Sequence, residues 1–183
     1  MPRIQPVKTD EAQGKAKALL DGVEKAMGMT PNLMRTMAQS PAVLEAYLGF
    51  GKALAGASLS AQLREQIALT VAGENACGYC ASAHTALGKK LGGEEGELAA
   101  NLKALSGDAK TGVALEFARR IVIERGWVSD DDLKRVRDAG YSDGEIAEIV
   151  AAVAQNIFSN YFNHVAQTEV DFPHVEVRQP TAA

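Results

Sequence analysis

"LREQIALTVAGENACGYCASAHTALGKKLG", residues 63–92, holds both cysteines of the chain and one of its three histidines. Leu63, Ile67 and Val71 recur every four residues, which stacks them on one helix face, and Ser60 just upstream is an N-cap residue type. The spacing predicts a helix over 61–75. A second helix is predicted over 78–90, with Gly92 and Gly93 as its stop signal. The short joint at 76–78 makes the two antiparallel neighbours, and both cysteines fall at the start of the second.

Outward from this hairpin, nearly every segment reads helical, because alanine is abundant and no alternating pattern persists. An amphipathic helix fits residues 10–27, and a short one with Pro31 in first position precedes a restart at Pro41. Beyond the hairpin, helices fit residues 94–105, a segment capped by Asp108 and closed by Gly126, and another opened by Ser129 and ended at Gly140. Ser142 and Glu145 have capping-box spacing and launch a long apolar helix to about residue 167. The expected fold is all-α, a single domain over 1–183 with about eight helices, a core motif at 60–92 and an extended tail at 168–183. An 80-residue shift aligns Glu65 with Glu145, Ala72 with Ala152 and His84 with His164, a faint echo of a duplicated helical hairpin.

With 183 residues, 46% hydrophobic and 23% charged, the composition is that of a folded domain. A net charge of -4 argues against a nucleic-acid footprint, and the basic run at 134–137 follows three aspartates, as on a solvated helix. No secretory signal opens the chain, and no run of about 18 apolar residues occurs, so neither export nor a membrane span is expected. The expected compartment is the cytoplasm, where spaced thiols are redox or metal groups more often than structural staples.

Residues in a helix advance about 100° each, so Cys77, Cys80 and His84 share a stripe within roughly 60°. Cys77 at the helix start meets unpaired backbone N–H groups and the positive dipole end, which stabilise a thiolate. His84, four residues past Cys80, is a base within reach, and Glu65 on the preceding helix is the candidate group to orient it. Two thiols three apart also complete a redox cycle: one becomes a sulfenic acid, the other condenses with it to a disulfide. Three other readings compete with this one: packing alone, a zinc site that would need Glu65 as fourth ligand, and a thiol–disulfide exchanger. Tyr79, between the cysteines, and His164, beside Asn160 and Asn163, are further candidates to line the site. Trp127 and the methionines Met27, Met29, Met34 and Met37 are read as core or interface packing.

The glutamate, eleven intervening residues and C-x-x-C-x-x-x-H resemble the AhpD-like alkylhydroperoxidases of the carboxymuconolactone decarboxylase superfamily. The flanks "MGMTPNLMRTMAQSPAVLEAYLGF" and "NYFNHVAQTEVDFP" are similar to its peroxidase-related branch. The resemblance implies a helical peroxidase acting on hydroperoxides without cofactor or metal. It gives Cys80 as the attacking thiol, Cys77 as its disulfide partner, and Glu65 and His84 as a proton relay, whereas dipole reasoning favours Cys77 as the more activated sulfur. It further implies a lipoyl- or thioredoxin-like dithiol reductant and a homo-oligomer, trimer or hexamer. Where better-studied relatives have a histidine between the cysteines, this chain has Tyr79. The same superfamily offers a lyase on a γ-lactone as the alternative activity.

Overall fold

The computed structural model describes residues 1–177, and every regular element among them is an α-helix. In chain order these are α1 (Gly14–Met27), α2 (Asn32–Met37), α3 (Pro41–Leu54), α4 (Ala61–Glu74), α5 (Gly78–Lys90), α6 (Glu95–Asn101), α7 (Ala109–Ile123), α8 (Asp130–Asp138) and α9 (Asp143–Ala166). Nine helices thus stand among the described residues where about eight were expected.

Capping chemistry fixes most of the starts. Ser60 accepts from the Leu63 N–H, Asp108 from the Thr111 N–H, and Ser129 and Ser142 complete reciprocal boxes with Asp132 and Glu145. Other boundaries differ from the sequence reading. Helix α1 begins at Gly14, not residue 10, because Gly14 takes a left-handed φ of 55° that a helix cannot propagate back through. Pro31 is the N-cap of α2, and Pro41 is the one in first helical position. Helix α6 stops at Asn101, short of residue 105, since Ala104 adopts a φ of 56° and the Leu105 N–H turns back to the Ala100 carbonyl.

Helix α4 is the axis of the fold. All seven residues 66–72 are buried, so the middle of α4 has no solvent side, and α5, α7 and α9 pack around it. Small residues permit the close approach. At Gly73 an added Cβ would stand 2.0 Å from the Leu102 carbonyl oxygen, where the chain leaving α6 crosses α4. One apolar cluster joins α4 to α7, α8 and α9; a second gathers α1, α2, α3 and α5 around the two cysteines. The site lies where the two clusters meet.

The N-terminal segment and residues 168–177 run over this junction. The Arg3 N–H bonds to the Ala166 carbonyl at 2.7 Å, and residues 168–177 run without helix across α2 and α5. There Asp171 Oδ2 accepts from the Asn32 N–H at 2.7 Å and Ser82 Oγ from the Val175 N–H at 3.0 Å. The rest of the expected tail, 178–183, lies outside the described residues. The 80-residue echo does not extend to a second hairpin: it lays the turn at 75–77 on 155–157, in the uninterrupted middle of α9. Trp127, expected in a core or interface, is 88% exposed, whereas Met37 is buried. No helix among the described residues is long and apolar enough to cross a membrane.

Candidate active site

The turn between α4 and α5 sets the site. The Cys77 N–H bonds to the Ala72 carbonyl at 2.9 Å and the Ala76 N–H to the Gly73 carbonyl at 3.2 Å, the two bonds of a Schellman motif. The left-handed position falls on Ala76, with φ of 52°, where glycine would be relaxed; a residue with a Cβ is strained there by about 1–2 kcal/mol. The motif delivers Cys77 as the N-cap of α5, its sulfur accepting from the Cys80 N–H at 3.4 Å. Both cysteines are free thiols and almost wholly buried.

The two sulfurs titrate as a pair. A hydrogen bond from the Cys80 thiol does most to hold Cys77 below the ordinary thiol range, against the burial that opposes it; the Cys80 N–H, the His84 charge and the Asn163 amide assist. Burial, then the hydrogen bond and negative charge of Cys77, push Cys80 well above that range, with Asn163 and Asn160 pulling the other way. Of the two, Cys77 is therefore the sulfur that gives up its proton more readily, in the sense the helix dipole favours.

Glu65 and His84 meet across the α4–α5 interface, Oε2 to Nδ1 at 2.7 Å, with side chains 21% and 16% exposed. Burial works against the imidazolium, but the Glu65 carboxylate outweighs it by charge and hydrogen bond, with Cys77 adding, and His84 is held above its ordinary range. The hairpin register read from the sequence thus brings Glu65, Cys77, Cys80 and His84 together. Among the described residues no group of three or more His, Cys, Asp or Glu is arranged to hold a metal ion.

Tyr79 is buried, and its hydroxyl accepts from the Leu33 N–H at 3.0 Å; its ring stands edge-on to Phe172 with centroids 5.9 Å apart. It ties α2 and the tail to α5. His164 is exposed at the mouth of a 410 Å³ cavity that it lines with Cys77, Asn75, Asn163 and Thr168. A second cavity of 380 Å³ opens on the Glu65–His84 side. An apolar pocket of 50 Å³ shares Met27, Met34, Tyr47, His84 and Leu87 with it and reaches Cys80 beneath Leu33 and Phe172. The two sulfurs thus face different mouths.

Sequence reasoning passed over the far wall. Asn163 Nδ2 donates to Cys80 Sγ at 3.2 Å, and Asn75 Nδ2 to Asn160 Oδ1 at 2.9 Å. Tyr47, whose hydroxyl is raised by burial and by the charges of Cys80 and Glu65, closes another side. The signal was present in α9: Asn156, Ser159, Asn160 and Asn163 form a polar stripe at helical spacing in an otherwise apolar helix.

Residues 41–123 match the sequence profile of the carboxymuconolactone decarboxylase family. No curated protein matches the chain by sequence. Solved structures share the fold. An uncharacterized peroxidase-related protein from Silicibacter sp. superposes with a TM-score of 0.80 at 22% identity over 91% of this chain and 92% of its own. One from Ralstonia eutropha, described as an alkylhydroperoxidase AhpD core, gives 0.85 at 20% identity over 93% and 92%. A cysteine-to-alanine variant of the debrominase Bmp8 in complex with 2,3,4-tribromopyrrole gives 0.79 at 20% identity over 92% and 91%.

Proposed function

We propose that this chain, a carboxymuconolactone decarboxylase family domain across residues 41–123 on an AhpD-like fold, is a dithiol peroxidase that reduces hydroperoxides. What carries the reading is two buried sulfurs, Cys77 accepting from the Cys80 N–H and Cys80 from the Asn163 amide, beside an imidazole bonded to Glu65 at 2.7 Å. A packing role requires no carboxylate and imidazole bonded to each other beside two buried thiols, and burying such groups without use is costly.

The cycle starts from the state in which the two sulfurs share one proton, held by Cys77, with the charge on Cys80. The Cys80 thiolate attacks the terminal oxygen of R–O–O–H; an S–O bond forms, the O–O bond breaks, and its electron pair leaves on RO⁻. His84, as imidazolium, protonates that alkoxide to ROH. The Cys77 thiol then attacks Cys80–SOH: the S–S bond forms, the S–O bond breaks, and water leaves with the Cys77 proton. Cys80 is the attacking sulfur because it and His84 line the same apolar pocket, whereas Cys77 faces the polar mouth. A dithiol reductant, lipoyl- or thioredoxin-like, would reopen the disulfide from that side.

A stopped-flow titration of the reduced protein with an organic hydroperoxide tests this: two thiols lost per peroxide are expected, and none after Cys80→Ser. No thiol loss in the unaltered protein would falsify it. In a second reading the Cys80 thiolate attacks the halogen of a carbon–halogen bond: the S–halogen bond forms, the C–halogen bond breaks, a proton goes to the carbon, and the Cys77 thiol then displaces halide as the disulfide forms. The apolar Met27, Met34, Leu87 and Phe172 lining favours it, and halide release without peroxide would select it. Turnover of a γ-lactone by a Cys77→Ser/Cys80→Ser protein would select a lyase, and exchange with protein disulfides without peroxide reactivity a thiol–disulfide exchanger. We also assign the exposed stripe of Phe158, Tyr161 and Val165 on α9 to contact between copies of this chain, to be read by light scattering.

A further inference from the structure

The buried polar stripe of α9 has more hydrogen-bonding capacity than the fold uses. Asn160 and Asn163, one turn apart, are 0% and 4% exposed. Asn160 Oδ1 is held by Asn75, the C-cap of α4, yet its Nδ2 has no partner among the described residues. Asn163 Nδ2 reaches Cys80 Sγ, yet its Oδ1 is also without a partner there. A buried amide group left unmatched costs about 1–3 kcal/mol. Two such groups beside one reactive sulfur point to a partner that exists only during the reaction.

We propose that the Asn163 and Asn160 amides form a cradle that receives the negative charge on Cys80 and then holds the oxygen the sulfur acquires. When the proton moves from Cys80 to Cys77, Asn163 Nδ2 already donates to the newly charged sulfur, and Asn160 Nδ2 is the spare donor beside it. Once Cys80–SOH has formed, Asn163 Oδ1 accepts its O–H and Asn160 Nδ2 donates to its oxygen, which keeps the sulfur open to attack by Cys77. Preset donors aimed at developing charge in a dry site need no reorganisation when it forms. Asn75 binds this cradle to the Schellman turn that presents the cysteines. Tyr79, its hydroxyl committed to the Leu33 N–H, contributes none of this. The second half of the cradle's task rests on the peroxidase reading; the first half, stabilising the Cys80 thiolate, does not.

The test isolates Cys80 in a Cys77→Ser background and follows its alkylation by iodoacetamide against pH. Asn163→Ala is expected to raise the midpoint by about one unit, slowing alkylation near neutrality about tenfold. Asn163→Asp, which keeps the shape but replaces a donor by a negative charge, raises it further. That order is electrostatic, whereas loosened packing would make Ala the worse change. Asn160→Ala, which leaves the Asn163 bond in place, raises the midpoint by a smaller step and serves should the position 163 variants not fold. An unchanged midpoint in every folded variant, or Asp matching the unaltered residue while Ala does not, overturns the proposal. Should the order hold in a protein that consumes no thiols with peroxide, the thiolate-stabilising half of the cradle stands, and the peroxidase reading falls together with the half that rests on it.

Discussion

Glu65 Oε2 lies 2.7 Å from His84 Nδ1, a bond between two helices that puts a carboxylate behind the imidazole and leaves Nε2 free for chemistry. Its pH signature is specific. His84 is held above its ordinary range of about 6.5, so its ion pair stabilises the fold fully below that value and is lost as pH rises through the raised one. Glu65→Gln should therefore lower stability by about 1–2 kcal/mol in mildly acid solution and by less in alkali. Thermal melts across pH check it; a gap that widens toward alkali refutes the pairing. The same variant should slow thiol oxidation by about 10²-fold or more, as the loss of a proton relay does.

The hydrogen bond from Cys80 is the largest influence lowering Cys77. Removing that donor should raise Cys77 toward an ordinary thiol, while a hydroxyl in its place should preserve the effect. Cys80→Ala is thus expected to slow alkylation of Cys77 near neutral pH about tenfold, and Cys80→Ser by no more than about threefold. Equal rates in the two variants would mean that the helix terminus alone activates Cys77.

The parts of this architecture legible in the sequence are those governed by local rules. Ser60, Asp108, Ser129 and Ser142 cap where their side chains and spacing said they would, and the Glu65–His84 register followed from a short joint between two helices. What the sequence concealed depends on distant packing. The left-handed Ala76 has no composition signal, and only the burial of α4 against its neighbours sustains it. Asn160 and Asn163 look like ordinary polar residues until α9 is laid against α5, 80 residues earlier in the chain. Tyr79 sits between the cysteines in sequence, but its hydroxyl belongs to α2.

Tyr79→Phe tests that last assignment. The change leaves the buried Leu33 N–H without its acceptor, at a cost of about 1–3 kcal/mol, while the ring keeps its edge-on contact with Phe172. Stability should fall and the rate of thiol oxidation should stay within about twofold. If stability is unmoved and the oxidation rate collapses, the hydroxyl is part of the chemistry after all.

Gly73 and Gly22 place the same substitution in opposite surroundings. Gly22 is exposed in the middle of α1 with nothing within 4 Å of an added Cβ, so Gly22→Ala should stabilise by about 0.5–1 kcal/mol through helix propensity alone. At Gly73 the Cβ would fall 2.0 Å from the Leu102 carbonyl oxygen, and backbone cannot swing aside as a flexible side chain can. The segment of chain leaving α6 must move off α4 at Gly73, whose carbonyl accepts one bond of the Schellman turn that sets Cys77. Gly73→Ala should therefore destabilise by about 2–3 kcal/mol despite its better propensity, lowering the melting temperature by about 4–12 °C. It should also loosen the sulfur pair, seen as a Cys77 alkylation rate that drifts toward that of an ordinary thiol. Equal melting shifts of the same sign for the two variants would show that α4 and the 102 segment do not approach as closely as the fold requires.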